Sequence, residues 1–128
     1  SSTSSLEEEV KLLATIPLLF QPSSKWRYSV SIDVLGRILE VIMKSPLQDI
    51  LKNQIFLPLG MDDTDFYISK RNASRLMQSY EYNLIENKLT EHILDSQKIG
   101  AYDYPLHNKN YARGGHGLFS TIKDFVYL

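Results

Sequence analysis

The chain has 128 residues, 43% of them apolar and 23% charged, with a net charge of −1, which fits one soluble-type domain and recommends neither nucleic acid nor an anionic membrane as a partner. Cysteine is absent, which excludes disulfides, thiolate zinc sites and cysteine nucleophiles. No apolar run reaches the roughly 20 residues that a membrane helix needs.

Residues 1–5 are Ser-Ser-Thr-Ser-Ser and read as disordered or a loop. Ser5 with Glu8 has the capping-box spacing. Leu6, Val10, Leu13 and Ala14 follow at helical spacing, so a short helix ends before Pro17. Residues 17–30 hold two prolines and a serine pair and read as irregular. The clearest helix spans 31–44. Asp33, Arg37, Glu40 and Lys44 form one polar stripe, with Asp33–Arg37 and Glu40–Lys44 in the favourable i,i+4 order. Nearly everything else there is apolar, which predicts burial on most sides. Ser45-Pro46 then starts another helix, with Ser45 as cap and Gln48 completing the box, ending before Pro58. Residues 61–75 are turn-rich at first and helical at most later. Tyr80, Tyr82 and Leu84 alternate with polar residues and Asn87 offers a turn, which predicts a small hairpin. Residues 95–117 read as a long loop, and loops of that length tend to be functional. Thr121 with Asp124 starts a final helix. It stops at Leu128, little more than a turn in, which suggests truncation.

Three stretches resemble the serine β-lactamase-like family of class C β-lactamases, esterases and penicillin-binding D,D-peptidases. Pro22-Ser23-Ser24-Lys25-Trp26-Arg27-Tyr28-Ser29 is similar to that family's P-G-x-x-W-x-Y-S. Asp33-Val34-Leu35-Gly36, followed by Pro58-Leu59-Gly60-Met61-Asp62-Asp63-Thr64, resembles its helix and its P-L-G-M-x-D-T turn. Gly114-Gly115-His116-Gly117-Leu118-Phe119-Ser120-Thr121 with Asp124 resembles G-G-x-G-L-x-S-T-x-x-D. The resemblance implies a mainly α fold, a single helical subdomain over 1–128 with a small hairpin, cut from a larger α/β serine hydrolase built on an antiparallel sheet. It implies a substrate that is a β-lactam, a peptide ending in a D-amino acid, or an ester, with no cofactor. It also implies a bacterial periplasm or envelope setting.

By the same resemblance Tyr28 is the catalytic tyrosine, beside a serine nucleophile and a lysine. Serine attack needs a proton acceptor and the leaving group needs a donor. A free phenol, with a pKa near ~10, is a poor base until a neighbouring cation favours the phenolate. Ser29 and Val30 complete the motif as substrate-binding positions. Class C β-lactamases carry asparagine where Val30 stands, so the departure favours an esterase or peptidase. Trp26 is either a packing anchor or a wall of the cleft. Tyr102, Tyr104 and Tyr111 edge the same cleft or pack their own loop. Ser23 stands where the family has glycine.

Ser120-Thr121-Ile122-Lys123 has the S-x-x-K spacing of the family's nucleophile. Its setting is a different helix start, so Ser120 is expected to cap. Gly114, Gly115 and Gly117 are expected to let the backbone turn tightly. His92, His107 and His116 are scattered and imply no metal. No S-x-x-K precedes Tyr28 and no K-T-G or H-x-G strand motif follows it. The chain alone is therefore expected to be inactive, to pack against a missing α/β half, and to expose apolar surface that favours a homo-oligomer. The rival expectation is a non-catalytic helical interaction domain.

Overall fold

The structure is a computed structural model that describes residues 5–69, 71–77, 80–91 and 112–128. It is mainly helical and falls into two compact units, Ser1–Phe66 with Asn110–Leu128, and Tyr67–Lys109. In the first unit, α1 spans Leu6–Leu13, and the Ser5 hydroxyl caps it by accepting the Glu8 N–H at 3.2 Å. The irregular stretch follows, and then α2, Ser31–Met43, which Lys44 ends in a left-handed conformation.

α2 is inverted relative to the expectation from its composition. Asp33 and Gly36 are its buried residues, while Leu35, Ile38, Val41 and Ile42 are exposed. The charged stripe is the face that packs. Arg37 does not pair with Asp33. Its guanidinium reaches Glu40 at 3.2 Å and Glu7 of α1 at 2.5 Å, which ties the two helices together. Gly36 is where the elements meet most closely. A Cβ there would lie 2.9 Å from Leu47 Cδ2 and 3.4 Å from Leu6 Cδ2. A shallow groove of about 180 Å³ between α1 and α2 is lined by Val10, Val34, Arg37, Ile38, Val41 and Ile42.

α3, Leu47–Leu51, starts without the expected Ser45 cap or Gln48 box. Glu40 supplies the acceptor instead, taking the Leu47 N–H at 3.0 Å. Gln48 donates to Asp65 Oδ1 at 2.8 Å. The helix also does not stop before Pro58. It widens into a π-helical turn, Lys52–Phe56, and continues as α4, Leu57–Leu59. Leu57 donates five residues back, to the Lys52 carbonyl. Proline has no N–H to give and its ring crowds the carbonyl four residues earlier, and a π turn relieves both problems. Gly60, at φ +68°, closes the helix. Its N–H meets Leu57 O at 3.1 Å and the Met61 N–H meets Phe56 O at 2.8 Å, a Schellman closure with Phe56 and Met61 both buried.

The core of this unit is Leu6, Leu47, Ile50, Phe56, Met61, Phe66 and Ala112. Each large side chain there contributes roughly 1.5–3 kcal/mol by leaving water. Asp65 and Phe119 exchange backbone hydrogen bonds at 3.1 and 2.9 Å, joining the two distant segments. α5, Ile122–Phe125, is capped by Thr121, whose hydroxyl accepts the Asp124 N–H at 3.1 Å.

In the second unit the expected hairpin forms. β1, Tyr80–Asn83, pairs antiparallel with β2, Lys88–Glu91, placing Tyr80 opposite Glu91 and Tyr82 opposite Leu89. Asn87 takes φ +49° in the turn, and the Tyr82 hydroxyl donates to its side chain. Among the described residues of this unit before the hairpin, helical structure is limited to a 3₁₀ turn, Ala73–Arg75. Tyr102, Tyr104, Tyr111, His92 and His107 lie outside the described residues.

Candidate active-site loop

The loop that leads into α2 carries every site residue expected from the sequence. It opens with a tight turn. Ser24 N–H donates to Gln21 O at 3.2 Å, Pro22 fills the second position, and Ser23 sits at φ +67°. This is the signature of a type II turn, in which the third position favours glycine. Ser23 therefore adopts, despite its side chain, the conformation that glycine favours at this position. The Ser24 hydroxyl adds a bond to Gln21 O at 2.6 Å.

Beyond the turn the motif is presented outward. Trp26 is 86% exposed and Tyr28 83% exposed, so Trp26 is not a packing anchor within this chain. Ser29 is exposed as well, and Val30 is the first capping position of α2. The Val30 carbonyl accepts the N–H groups of Asp33 at 3.1 Å and Val34 at 3.2 Å. The loop is thus fixed to the first turn of α2 by its backbone.

That first turn rests on the glycine segment. Asp33, 3% exposed, accepts the Gly115 N–H at 3.1 Å. A Cβ on Gly114 would fall 2.1 Å from the Ile32 carbonyl oxygen, and one on Gly115 would fall 3.1 Å from Asp33 Oδ2. These two glycines serve close approach rather than turning. Gly117, at φ +94°, is the one in this segment that needs glycine's conformational freedom. Sequence reasoning put Asp33 on the wrong surface. Its partner, Gly115, lies 82 residues further on, and no local pattern signals that pairing.

Ser120 lies at the start of the α5 segment. It precedes the cap of α5 rather than opening the helix, and Thr121 is the capping residue. Thr64 gives its single hydroxyl proton to Asp124 Oδ2 at 2.8 Å, so Ser120 is the donor in its 2.8 Å bond with Thr64. A hydroxyl oxygen is no base, so the Thr64 contact does not activate Ser120. Asp124, 3% exposed, also accepts the Asp63 N–H at 2.8 Å, which locks the turn at 58–64 to α5. No metal-holding group occurs among the described residues, and His116 is exposed.

The turn at 58–64 is bonded to Asp124, and the first turn of α2, which follows the tyrosine motif, is bonded to Gly115, so the segment from Gly114 to Asp124 gathers the other stretches around it in the arrangement of a β-lactamase fold. The chain belongs to the beta-lactamase family, whose model matches residues 2–127. It is 35% identical to lovastatin esterase of Penicillium rubens over 93% of this chain and 29% of that protein. Esterase EstB of Burkholderia gladioli is 41% identical over 48% of this chain and 16% of its own length. Among solved structures, EstCE1, a hydrolase with promiscuous acyltransferase activity, superposes with a TM-score of 0.80 at 28% identity, covering 99% of this chain and 35% of that one. The chain thus spans about a third or less of these relatives.

Proposed function

We propose that this chain is the helical part of an esterase-type serine acyl hydrolase and that Tyr28 is its proton-transfer residue, with the nucleophile on sequence outside these 128 residues. The observation that carries the reading is the joint exposure of the Trp26–Val30 motif and the apolar face of α2 that follows it. A solvated apolar face beside a family motif is the arrangement expected of a surface that packs against the rest of a catalytic fold. The esterase names of the relatives and the absence of an amide at Val30 both favour ester over β-lactam substrates.

In this reading a lysine ammonium outside these 128 residues holds Tyr28 as the phenolate, and the serine oxygen bonds to the acyl carbon while its proton passes to that phenolate oxygen. Collapse of the tetrahedral intermediate returns that proton to the departing alkoxide and leaves an acyl-serine. Water repeats the cycle and releases the acid. Trp26 and Val30 line the acyl pocket, and Ser29 offers a hydroxyl at its edge.

The test is made on the longer polypeptide that contains this chain. It should hydrolyse a p-nitrophenyl ester faster than a chromogenic cephalosporin. Tyr28→Phe should lower kcat by about 10²–10⁴. A fluorophosphonate probe should label a serine outside residues 1–128. Labelling of Ser120, or an unchanged kcat in Tyr28→Phe, would overturn the proposal.

A further inference from the structure

We infer that Asp33 is a positioning residue for Tyr28, acting by clamping the first turn of α2 to the Gly114-Gly115 segment; this rests on the role given to Tyr28 above. The start of α2 has no anchor of its own. Its capping residue is Val30, and no side chain there accepts the free N–H groups of the first turn. Helices are usually secured at this point by a serine, threonine, aspartate or asparagine. Here the security comes from a partner 82 residues away, through the 3.1 Å bond from the Gly115 N–H to the Asp33 carboxylate.

The clamp has little slack. Gly114 approaches so closely that a single added carbon would strike the Ile32 carbonyl at 2.1 Å. On the other side, Asp33 and Val34 both donate their N–H groups to the Val30 carbonyl. Val30 is two residues from Tyr28. Displacement of Asp33 is therefore transmitted through two backbone bonds to the motif itself. Tyr28 has no such hold of its own, being 83% exposed on its loop.

A buried carboxylate is an expensive way to fill space, because desolvating the charge is unfavourable. This one is compensated in two ways. It accepts a backbone N–H, and it sits in a helix's first turn, where the positive end of the helix dipole favours an anion. That arrangement fixes direction as well as distance, which apolar packing would not do. Proton transfer is sensitive to both, since a misplacement of about 1 Å can cost on the order of 100-fold in rate.

The experiment is a kinetic cycle in the longer polypeptide, paired with ¹⁹F NMR of the same protein labelled with 3-fluorotyrosine, with Tyr28→Phe assigning the resonance. Asp33→Ala should lower kcat about ten- to hundredfold with KM little changed. Asp33→Asn, which keeps the shape and an acceptor oxygen, should recover most of that loss. On the Tyr28→Phe background Asp33→Ala should cost nothing further, because the two act as one unit. Gly115→Ala, which crowds the carboxylate from the opposite side, should imitate Asp33→Ala. In the NMR spectrum Asp33→Ala should shift or broaden the Tyr28 resonance, and Glu7→Gln should leave it in place. Additive losses in the kinetic cycle, or an unmoved Tyr28 resonance in folded Asp33→Ala and Gly115→Ala proteins, would overturn the inference. A Tyr28→Phe enzyme of full activity, with the resonance still moved by Asp33→Ala, would instead sink the catalytic reading and leave the clamp standing.

Discussion

Thr64 donates its hydroxyl proton to Asp124 Oδ2 at 2.8 Å, with both side chains buried, and so ties the turn at 58–64 to a helix 60 residues further on. The same oxygen accepts the Asp63 N–H at 2.8 Å. One carboxylate oxygen therefore serves two donors of the same turn. Asp124→Ala should destabilise the chain by about 2–3 kcal/mol, since it removes the acceptor that the Thr64 hydroxyl and the Asp63 N–H share. Thr64→Val removes the bonds to both Asp124 and Ser120 and should cost about 1–2 kcal/mol. The double variant should lose less than the sum of the two, because they share an interaction. Urea unfolding reads all three as midpoint shifts at constant slope.

Ser23 holds a left-handed backbone conformation, φ +67°, at the third position of the Pro22 turn. For a residue with a Cβ that conformation costs roughly 1–2 kcal/mol. Ser23→Gly relieves the strain but gives the unfolded chain more freedom, which returns about 0.4–1 kcal/mol. The net expectation is a gain of about 0.5 kcal/mol and a slightly higher Tm, with Ser23→Ala giving no gain. A lower Tm for the glycine variant would show that the turn is not strained.

The local features of this chain were legible in its sequence, and the long-range ones were not. The Ser5 cap, the start of α2, the hairpin at 80–91 and the Thr121 cap depend on neighbours a few residues away. Periodicity also placed Asp33, Arg37 and Glu40 together on one stripe. It did not say which side of the helix is covered, because that depends on what packs against it. Asp33 faces inward because its partner is Gly115, and no local pattern encodes that choice. Pro58 was read as a stop because its missing N–H normally ends a helix. The π turn at 52–56 absorbs it instead. Within the site, the motif residues were found by family resemblance, and the clamp that holds them was found only in three dimensions.

Gly114 lies against the first turn of α2 so closely that no side chain fits. Because the obstacle is the Ile32 carbonyl rather than a movable side chain, Gly114→Ala must displace backbone. We expect a loss of about 3 kcal/mol or more, at the upper end of what overpacking costs. Gly60→Ala meets no neighbouring atom, and its penalty comes only from the left-handed φ of +68°. It should cost about 1 kcal/mol. Thermal melting of the two variants ranks them, and a Gly114→Ala protein as stable as Gly60→Ala would refute the close-approach argument.

The Glu7 carboxyl is held below the usual glutamate range, first by its hydrogen bond with Lys11 and then by the charge of Arg37. A carboxyl with a lowered folded-state pKa stabilises the fold above its unfolded pKa. That contribution disappears as the pH falls through the lower, folded value. Stability should therefore decline as acid is added below the ordinary glutamate range. Glu7→Gln should flatten that part of the profile and leave the chain at neutral pH only slightly weaker, because exposed ion pairs contribute little. Salt at high concentration should mimic the substitution in the wild-type chain, while the Glu7→Gln profile should respond less. Unfolding midpoints taken across the acid range with and without salt check both expectations.

The last expectation concerns the apolar face of α2. Leu35, Ile38, Val41 and Ile42 are exposed on the helix whose charged side packs inward. If that face belongs against the rest of a catalytic fold, the 128-residue chain on its own should use it for self-association. Sedimentation velocity should then give species heavier than the 14.7 kDa monomer, in proportions that rise with concentration. Val41→Lys and Ile42→Lys place charge on exposed positions away from the Arg37–Glu40 pair, so they should shift the distribution toward monomer without lowering the Tm. A wild-type chain that stays monomeric at high concentration would argue that the face is tolerated in water, and the main support for a packing partner would be lost.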